Sequence, residues 1–237
     1  MATVIGWHEL YTGDLAVAGF YAELLGAEVE TADMGEVQYP MLKKGDRLHA
    51  GFVLKDHDHQ QVPSHWYPYV MVDDVDASME KAKSLGSQLL HGPADVDIIR
   101  FAVLMDPQHA TYGVISSPNP PASGLFVWDE LHASDVEAEK QHYTELFGWT
   151  TSSFMEGYEV FNAGEAMVGG LMARNDGAPG SSWISYLAVD DTDAATAKAQ
   201  ELGASLMLEP TTMEGVGRFS VLADPTGAVF GLHKSAS

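Results

Sequence analysis

The sequence predicts an α+β protein made of tandem βαβββ units, whose curved mixed sheets wrap around clefts. Three observations predict this. Four residue blocks recur in one order in the two halves, each half alternates strand and helix patterns twice, and a proline-rich segment lies between the halves. Trp7-x-Glu9-Leu10 returns as Trp128-x-Glu130-Leu131, and Tyr21-x-Glu23-Leu24-x-Gly26 as Tyr143-x-Glu145-Leu146-x-Gly148. Val72-Asp73-Asp74-x-Asp76-Ala77 returns as Val189-Asp190-Asp191-x-Asp193-Ala194, and Arg100-Phe101-x-Val103-Leu104-x-Asp106-Pro107 as Arg218-Phe219-x-Val221-Leu222-x-Asp224-Pro225. The offsets drift only between 117 and 122 residues, which marks a tandem duplication with small insertions in loops. Ser116 to Gly124, with three prolines among small polar residues, has linker composition. The expected organisation is one domain at 1–117, a linker at 118–123 and a second domain at 124–237.

Within the first copy, a strand is expected from about Ile5 to Tyr11. Gly13 or Asp14 then opens a helix in which Ala18, Tyr21, Leu24 and Leu25 keep helical spacing and Gly26 ends it. The second copy repeats this with Asp135, Tyr143, Leu146, Phe147 and Gly148. Glycine-punctuated strand segments follow at 39–54 and 158–173. Trp66 to Val72 and Trp183 to Val189, rich in aromatic and β-branched residues, read as strands. An acid-capped helix follows each, ending at Leu85-Gly86 and Leu202-Gly203, and a hairpin turned at Asp106-Pro107 closes the first copy.

Composition narrows the function. Lys and Arg number 12 against 34 Asp and Glu, so the net charge is −22. Such a chain repels nucleic-acid phosphates and anionic membrane surfaces. The absence of cysteine rules out disulfides, a thiol nucleophile and thiolate metal ligands. The first residues lack a basic and an apolar segment, and no apolar run approaches the roughly 18 residues of a membrane-spanning helix. A soluble, cytoplasmic protein is expected. There is no phosphate-loop spacing and no Ser nucleophile elbow. His8-Glu9 is not followed by the second His of a metalloprotease helix, because position 12 is Thr.

The pattern Phe20-Tyr21-x-Glu23-Leu24-Leu25-Gly26, its counterpart Tyr143 to Trp149, the Val-Asp-Asp-x-Asp blocks and the Asp-Pro turns resemble the vicinal oxygen chelate superfamily. That superfamily contains glyoxalase I, extradiol dioxygenases and bleomycin-resistance proteins. The Trp-x-Glu-Leu start and the ending Asp224 to Leu232 are similar to its duplicated, glyoxalase-like bacterial branch, whose members also carry hydroxylase labels. In metal-using relatives a first-strand His stands seven residues before the helix-opening Asp, and a Glu seven residues after the Asp of the Asp-Pro turn. Here those positions hold Trp7 and Trp128, and Gly113 and Gly231; a third ligand position falls near Tyr67 and Ile184. None is an ordinary metal ligand, so no metal residue is assigned and no cofactor is expected; if one is used, a divalent metal ion is the candidate.

Strand alternation places Trp7, Glu9 and Tyr11 on one face, Trp128, Glu130 and His132 on the matching face, and His233 beside Gly231. One reading is an aromatic-walled pocket in which the indoles stack on a planar or hydrophobic small molecule while Glu9 and Glu130 accept its hydrogen bonds. The other is that indoles fill a core and glutamates accept structural hydrogen bonds. Glycine at 113 and 231 either opens room for something flat or lets backbones approach. Arg100 and Arg218 either clamp an anionic group or pair with nearby acids. Glu9, Glu130, His132 and His233 form an alternative carboxylate–imidazole metal set, and His57-x-His59 sits in a polar loop. Three functions remain open. They are a metal-independent small-molecule binder, a lyase or oxygenase-type enzyme in which Glu9 or Glu130 abstracts a proton, and an interaction protein with vestigial pockets. Two copies in one chain supply the pairing that single-copy relatives obtain by dimerising, so a monomer is expected, with a homodimer as the alternative.

Overall fold

The computed structural model describes residues 3–34, 37–118 and 124–236; the expected linker at 118–123, apart from Pro118, lies outside them. The first repeat runs β1 (Ile5–Thr12), α1 (Val17–Leu25), β2 (Glu28–Met34), β3 (Val37–Lys44), β4 (Arg47–Leu54), β5 (His65–Met71), α2 (Val75–Ser84), β6 (Gln88–Val96), β7 (Ile99–Met105) and β8 (Thr111–Ser116). The second runs β9 (Phe126–Ala133), α3 (Val136–Phe147), β10 (Thr150–Met155), β11 (Tyr158–Ala163), β12 (Ala166–Ala173), β13 (Ser182–Ala188), α4 (Thr192–Glu201), β14 (Ser205–Met213), β15 (Gly217–Ala223) and β16 (Val229–Ser235). Strand order is β2-β3-β4-β1-β5-β8-β7-β6 in the first repeat and β10-β11-β12-β9-β13-β16-β15-β14 in the second. Both sheets are mixed: β1 pairs parallel with β4 and antiparallel ladders join β2 to β3 and β3 to β4. The α+β architecture of βαβββ units is therefore present among the described residues.

Helix starts follow their acids. Asp74, Asp135 and Asp191 each accept the backbone N–H three residues on, and Gly26 and Gly148 close α1 and α3 in the left-handed conformation. The start of α1 differs from expectation. The Asp14 carboxylate accepts from the Ala16 N–H rather than from an N–H three residues on, and Val17 and Ala18 bond to the Asp14 and Leu15 carbonyls in a tight turn before the helix proper begins at Val17. The outermost strands β2, β6, β10 and β14 carry little buried surface and so had no clear alternation in the sequence; β10 reads exposed at five of six positions.

Compact packing follows a different partition from the repeats. One unit comprises Met1–Gly6, Tyr67–Pro120 and Trp128–Ile184; the second comprises Trp7–Trp66, Pro121–Val127 and Ser185–Ser237. Each unit thus combines segments of both repeats. In the second unit α1 buries Val17, Phe20, Tyr21 and Leu24 against Phe52, Trp66 and Phe230. In the first, Met79 and Ala82 of α2 and Tyr143 and Leu146 of α3 pack with Tyr112, Trp149 and Trp183. Each core encloses a buried acid. Tyr21 donates to Asp224 Oδ2 at 2.9 Å and accepts from Trp66 Nε1 at 2.8 Å. Tyr143 donates to Asp106 Oδ2 at 2.8 Å and accepts from Trp183 Nε1 at 3.1 Å.

The first unit also buries Glu139, which is 0% exposed. Neither of its carboxylate oxygens has a partner at hydrogen-bonding geometry, although Asp106 and the Ser181 hydroxyl lie nearby. Beside it, His142 Nε2 meets Ser87 Oγ at 3.2 Å, and Ser87 Oγ meets the Tyr112 hydroxyl at 2.9 Å. At the corresponding positions of the other repeat stand Val17, Phe20, Ala204 and Phe230. Burial first, then the Asp106 charge, pushes the Glu139 carboxyl up to about 9 from its ordinary 4.5. Asp135 acts in the same direction, while burial lowers His142. Glu139 is therefore protonated in the folded state at neutral pH and ionised in the unfolded chain. Its contribution to stability is complete below about pH 4.5 and is lost as pH rises toward 9. Urea unfolding between pH 5 and 9 should show stability falling with pH, and Glu139→Gln should flatten that slope and add about 1–2 kcal/mol at pH 8.

Candidate functional site

The candidate residues of β1 and β9 meet a partner that the sequence reading did not single out. In the second unit, Tyr39 of β3 donates its hydroxyl to Glu9 Oε1 at 2.5 Å and receives Trp7 Nε1 at 3.4 Å. In the first unit, Tyr158 of β11 donates to Glu130 Oε2 at 2.7 Å and receives Trp128 Nε1 at 2.8 Å. The indole N–H can only donate and the carboxylate only accept, so the phenol between them does both. Burial and the adjacent glutamate hold both phenols well above their ordinary pKa, and each stays a protonated donor. The strand register makes room for it. Glu9 lies opposite Gly51 and Glu130 opposite Gly170, and a Cβ there would come within 1.8 Å and 2.0 Å of the Tyr39 and Tyr158 hydroxyls. The spacing of 119 residues between Tyr39 and Tyr158, shared by Gly51 and Gly170, was the signal available in the sequence.

The two sites differ at the next residue along the strand face. His132 Nε2 meets Glu130 Oε1 at 2.7 Å, both side chains being largely buried. The matching Tyr11 instead contacts the His65 ring edge-on at 5.8 Å, and burial together with the Asp56 charge raises its phenol pKa. His233 belongs to the second unit; its Nε2 meets the Val216 carbonyl at 3.2 Å, and burial lowers its pKa. Arg100 forks onto Asp76 at 2.8 Å and onto Asp95 at 2.7 Å, and Arg218 onto Asp193 at 2.6 and 2.7 Å. Both guanidinium groups are thus committed to the acid of the first helical turn beside them. His59 is taken up by Asp56 and His57 is fully exposed.

Most ligand positions of metal-using relatives offer no metal donor here, Tyr67 being the exception with its phenol oxygen. Trp7 and Trp128 offer indoles that have no lone pair to donate, and Ile184 offers none. Gly113 and Gly231 are covered by this chain's own rings. Tyr69 pairs with Gly113 and Tyr186 with Gly231 across neighbouring strands, and a Cβ would fall 2.1 and 2.0 Å from the ring carbons. The flat group admitted by these glycines is therefore a tyrosine of the adjacent strand. Among the described residues, no three His, Asp or Glu side chains converge as a metal-ligand group. No helix among them is long and apolar enough to cross a membrane. Gly113→Ala should force the Tyr69 ring aside and cost about 1–3 kcal/mol in urea unfolding, with the same sign for Gly231→Ala.

Comparison with known proteins gives these geometries a family. Residues 127–232 match the model of the Glyoxalase/Bleomycin resistance protein/Dioxygenase superfamily, and residues 13–115 match that of a Glyoxalase-like domain. A Mycobacterium tuberculosis (strain CDC 1551 / Oshkosh) protein named "Putative glyoxylase CFP32" is 32% identical over 97% of this chain and 94% of its own length. The Streptomyces peucetius anthracycline biosynthesis protein DnrV is 32% identical over 48% of each chain. Among solved structures, the Mn(II)-bound glyoxalase from Novosphingobium aromaticivorans has a TM-score of 0.69 at 16% identity, covering 98% of this chain and 81% of that one. A catechol 2,3-dioxygenase has a TM-score of 0.65 at 16% identity, covering 100% and 91%. These structural likenesses show the fold. With a relative matched along nearly its whole length and both halves matched by family models, this chain belongs to the glyoxalase/bleomycin resistance protein/dioxygenase superfamily, the vicinal oxygen chelate proteins.

Proposed function

We propose that this protein binds a small planar or hydrophobic molecule beside its Trp–Tyr–Glu groups without the divalent metal of its metal-using relatives. The observation that carries this is the replacement of metal-ligand positions by indoles and by glycines under tyrosine rings. Indole faces supply stacking surface, and a glutamate whose orientation is fixed by a buried phenol supplies a directed hydrogen-bond acceptor. Such a site selects a flat ligand carrying a donor N–H or O–H. The short His132–Glu130 contact favours a second reading, an enzyme in which that pair moves a proton, and the second repeat is the place for it.

Metal content and ligand response together test the proposal. In protein purified without a metal-affinity tag, iron, manganese, nickel and zinc should stay at background by plasma mass spectrometry, in wild type and in Glu9→Ala/Glu130→Ala alike. Near-stoichiometric metal lost in the variant would overturn it. In a thermal-shift screen, planar aromatic phenols and amides should raise the melting temperature by several degrees, and Glu130→Ala should reduce the affinity of a hit by about tenfold. Turnover abolished by His132→Ala would move the assignment to the enzyme. We further propose that the chain is a monomer, and light scattering should return its own mass of 25.6 kDa.

A further inference from the structure

A pocket lies in the second unit, and none of the Trp–Tyr–Glu residues lines it. A concave pocket of about 470 Å³ is bordered by Val17 and Phe20 of α1 and by Lys55, Gln60, Ser64 and Thr226. Lys55 is the unusual member. The residue is 8% exposed, yet among the described residues no carboxylate or carbonyl oxygen meets its ammonium group. Burial is the cause that acts on its pKa, pulling it down, with no neighbouring acid pushing it back. In a chain of net charge −22, a lysine whose side chain is so largely covered and whose ammonium has no counter-ion is an exception.

The repeat supplies a control for what that position does when it is satisfied internally. The Lys55 backbone N–H donates to the Thr12 carbonyl at 2.8 Å, and Arg174 donates to the Ala133 carbonyl at 2.8 Å, so the two residues are structural counterparts. Arg174 is neutralised by its own loop. It forks onto Asp176 at 2.6 and 3.0 Å and also donates to Gly180 O and Ser182 Oγ. The first repeat has His57 where the second has Asp176. The acid next to Lys55, Asp56, is taken up by the His59 ring at 2.7 Å and by the backbone N–H groups of Asp58 and His59. The first repeat has kept the cation and lost the carboxylate that would neutralise it.

We propose that this pocket is a binding site for the carboxylate of a small amphipathic molecule, whose anionic group pairs with Lys55 and whose apolar part lies on Val17 and Phe20. Ser64, buried, adds a hydroxyl that can donate to the carboxylate, while the Gln60 amide nitrogen is committed to the Lys55 and Asp56 carbonyls. Asp14, exposed on the rim with Oδ1 already capping Ala16, sets the charge of the ligand. The single cation accepts one negative charge, and the Asp14 carboxylate on the rim disfavours a second, so a carboxylate is selected over a phosphate monoester.

The experiment uses benzoate as probe, with benzyl alcohol as its neutral counterpart and phenyl phosphate as the dianion, on protein carrying 13C-labelled lysine. The Lys55 ε-methylene signal is assigned by its absence in Lys55→Met. Benzoate should shift that signal saturably while benzyl alcohol does not. Lys55→Met should weaken benzoate binding by about tenfold or more, and Lys55→Arg should restore most of it. An unchanged melting temperature for Lys55→Arg keeps the comparison free of misfolding. Benzoate binding that is equal in wild type and Lys55→Met, or a Lys55 signal unmoved at saturating benzoate, overturns the site. Phenyl phosphate binding more tightly than benzoate overturns the choice of ligand. Because the Trp–Tyr–Glu groups do not line this pocket, Glu9→Ala and Glu130→Ala should leave the benzoate response intact.

Discussion

A phenol that takes an indole N–H and gives its own proton to a carboxylate is the interaction on which this molecule is organised. It occurs four times among the described residues, through Tyr21, Tyr39, Tyr143 and Tyr158. Tryptophan can only donate and an ionised carboxylate can only accept, so tyrosine is the residue that satisfies both at once. In the two core examples the acid is also the Asp of an Asp-Pro turn, and its other oxygen collects backbone N–H groups, those of Gln108 and Ala110 or of Thr226 and Ala228. Removing the phenol would leave a buried acid short of a donor, a loss of about 1–3 kcal/mol. The exchange is reciprocal: Tyr21 of the first repeat serves Asp224 of the second, and Tyr143 of the second serves Asp106 of the first. Each helix is thereby tied to a turn from the other copy, which is why each compact unit draws on both repeats.

Duplication lets each feature be read against its counterpart. What both copies keep is the phenol bridge and the glycines that admit tyrosine rings, features of packing and hydrogen bonding that the fold requires. What they do not keep is the arrangement of charge. Glu139, His142, Ser87 and Tyr112 fill one core with polar groups where the other has Val17, Phe20, Ala204 and Phe230. Burying an acid without full hydrogen bonding is costly, so this cluster is not there for stability. Lys55 and Arg174 diverge in the opposite sense, one left without a carboxylate and the other provided with one.

The sequence made the fold legible wherever local chemistry decides structure. Repeated Asp caps, Gly26 and Gly148, and the apolar spacing of α3 and β13 each state their element within a few residues. The edge strands were harder, because β10 and β14 lie largely in solvent and need no alternation. Site residues were legible only in part. Trp7, Glu9, Trp128 and Glu130 stood out by repetition, but Tyr39 reaches Glu9 through strand pairing from 30 residues away. The same limit applies to Gly113, since only the register of β5 on β8 reveals that Tyr69 lies over it. Arg100 and Arg218 had two physical outcomes in the sequence, and the pairing of each with the first helical turn decides between them.

The phenol bridge also separates what each site can do. A tyrosine held protonated by burial and by its glutamate is a fixed donor, not an acid that exchanges its proton near neutrality. Its effect is to orient the carboxylate and keep it oriented. In the second repeat the His132 ring meets that carboxylate, Nε2 lying 2.7 Å from Glu130 Oε1. In the first repeat the same strand position is Tyr11, another phenol that burial keeps protonated. One scaffold therefore carries two phenol bridges of shared hydrogen-bond logic and unequal neighbours, with Tyr11 at the strand position where the second repeat sets His132 against its glutamate.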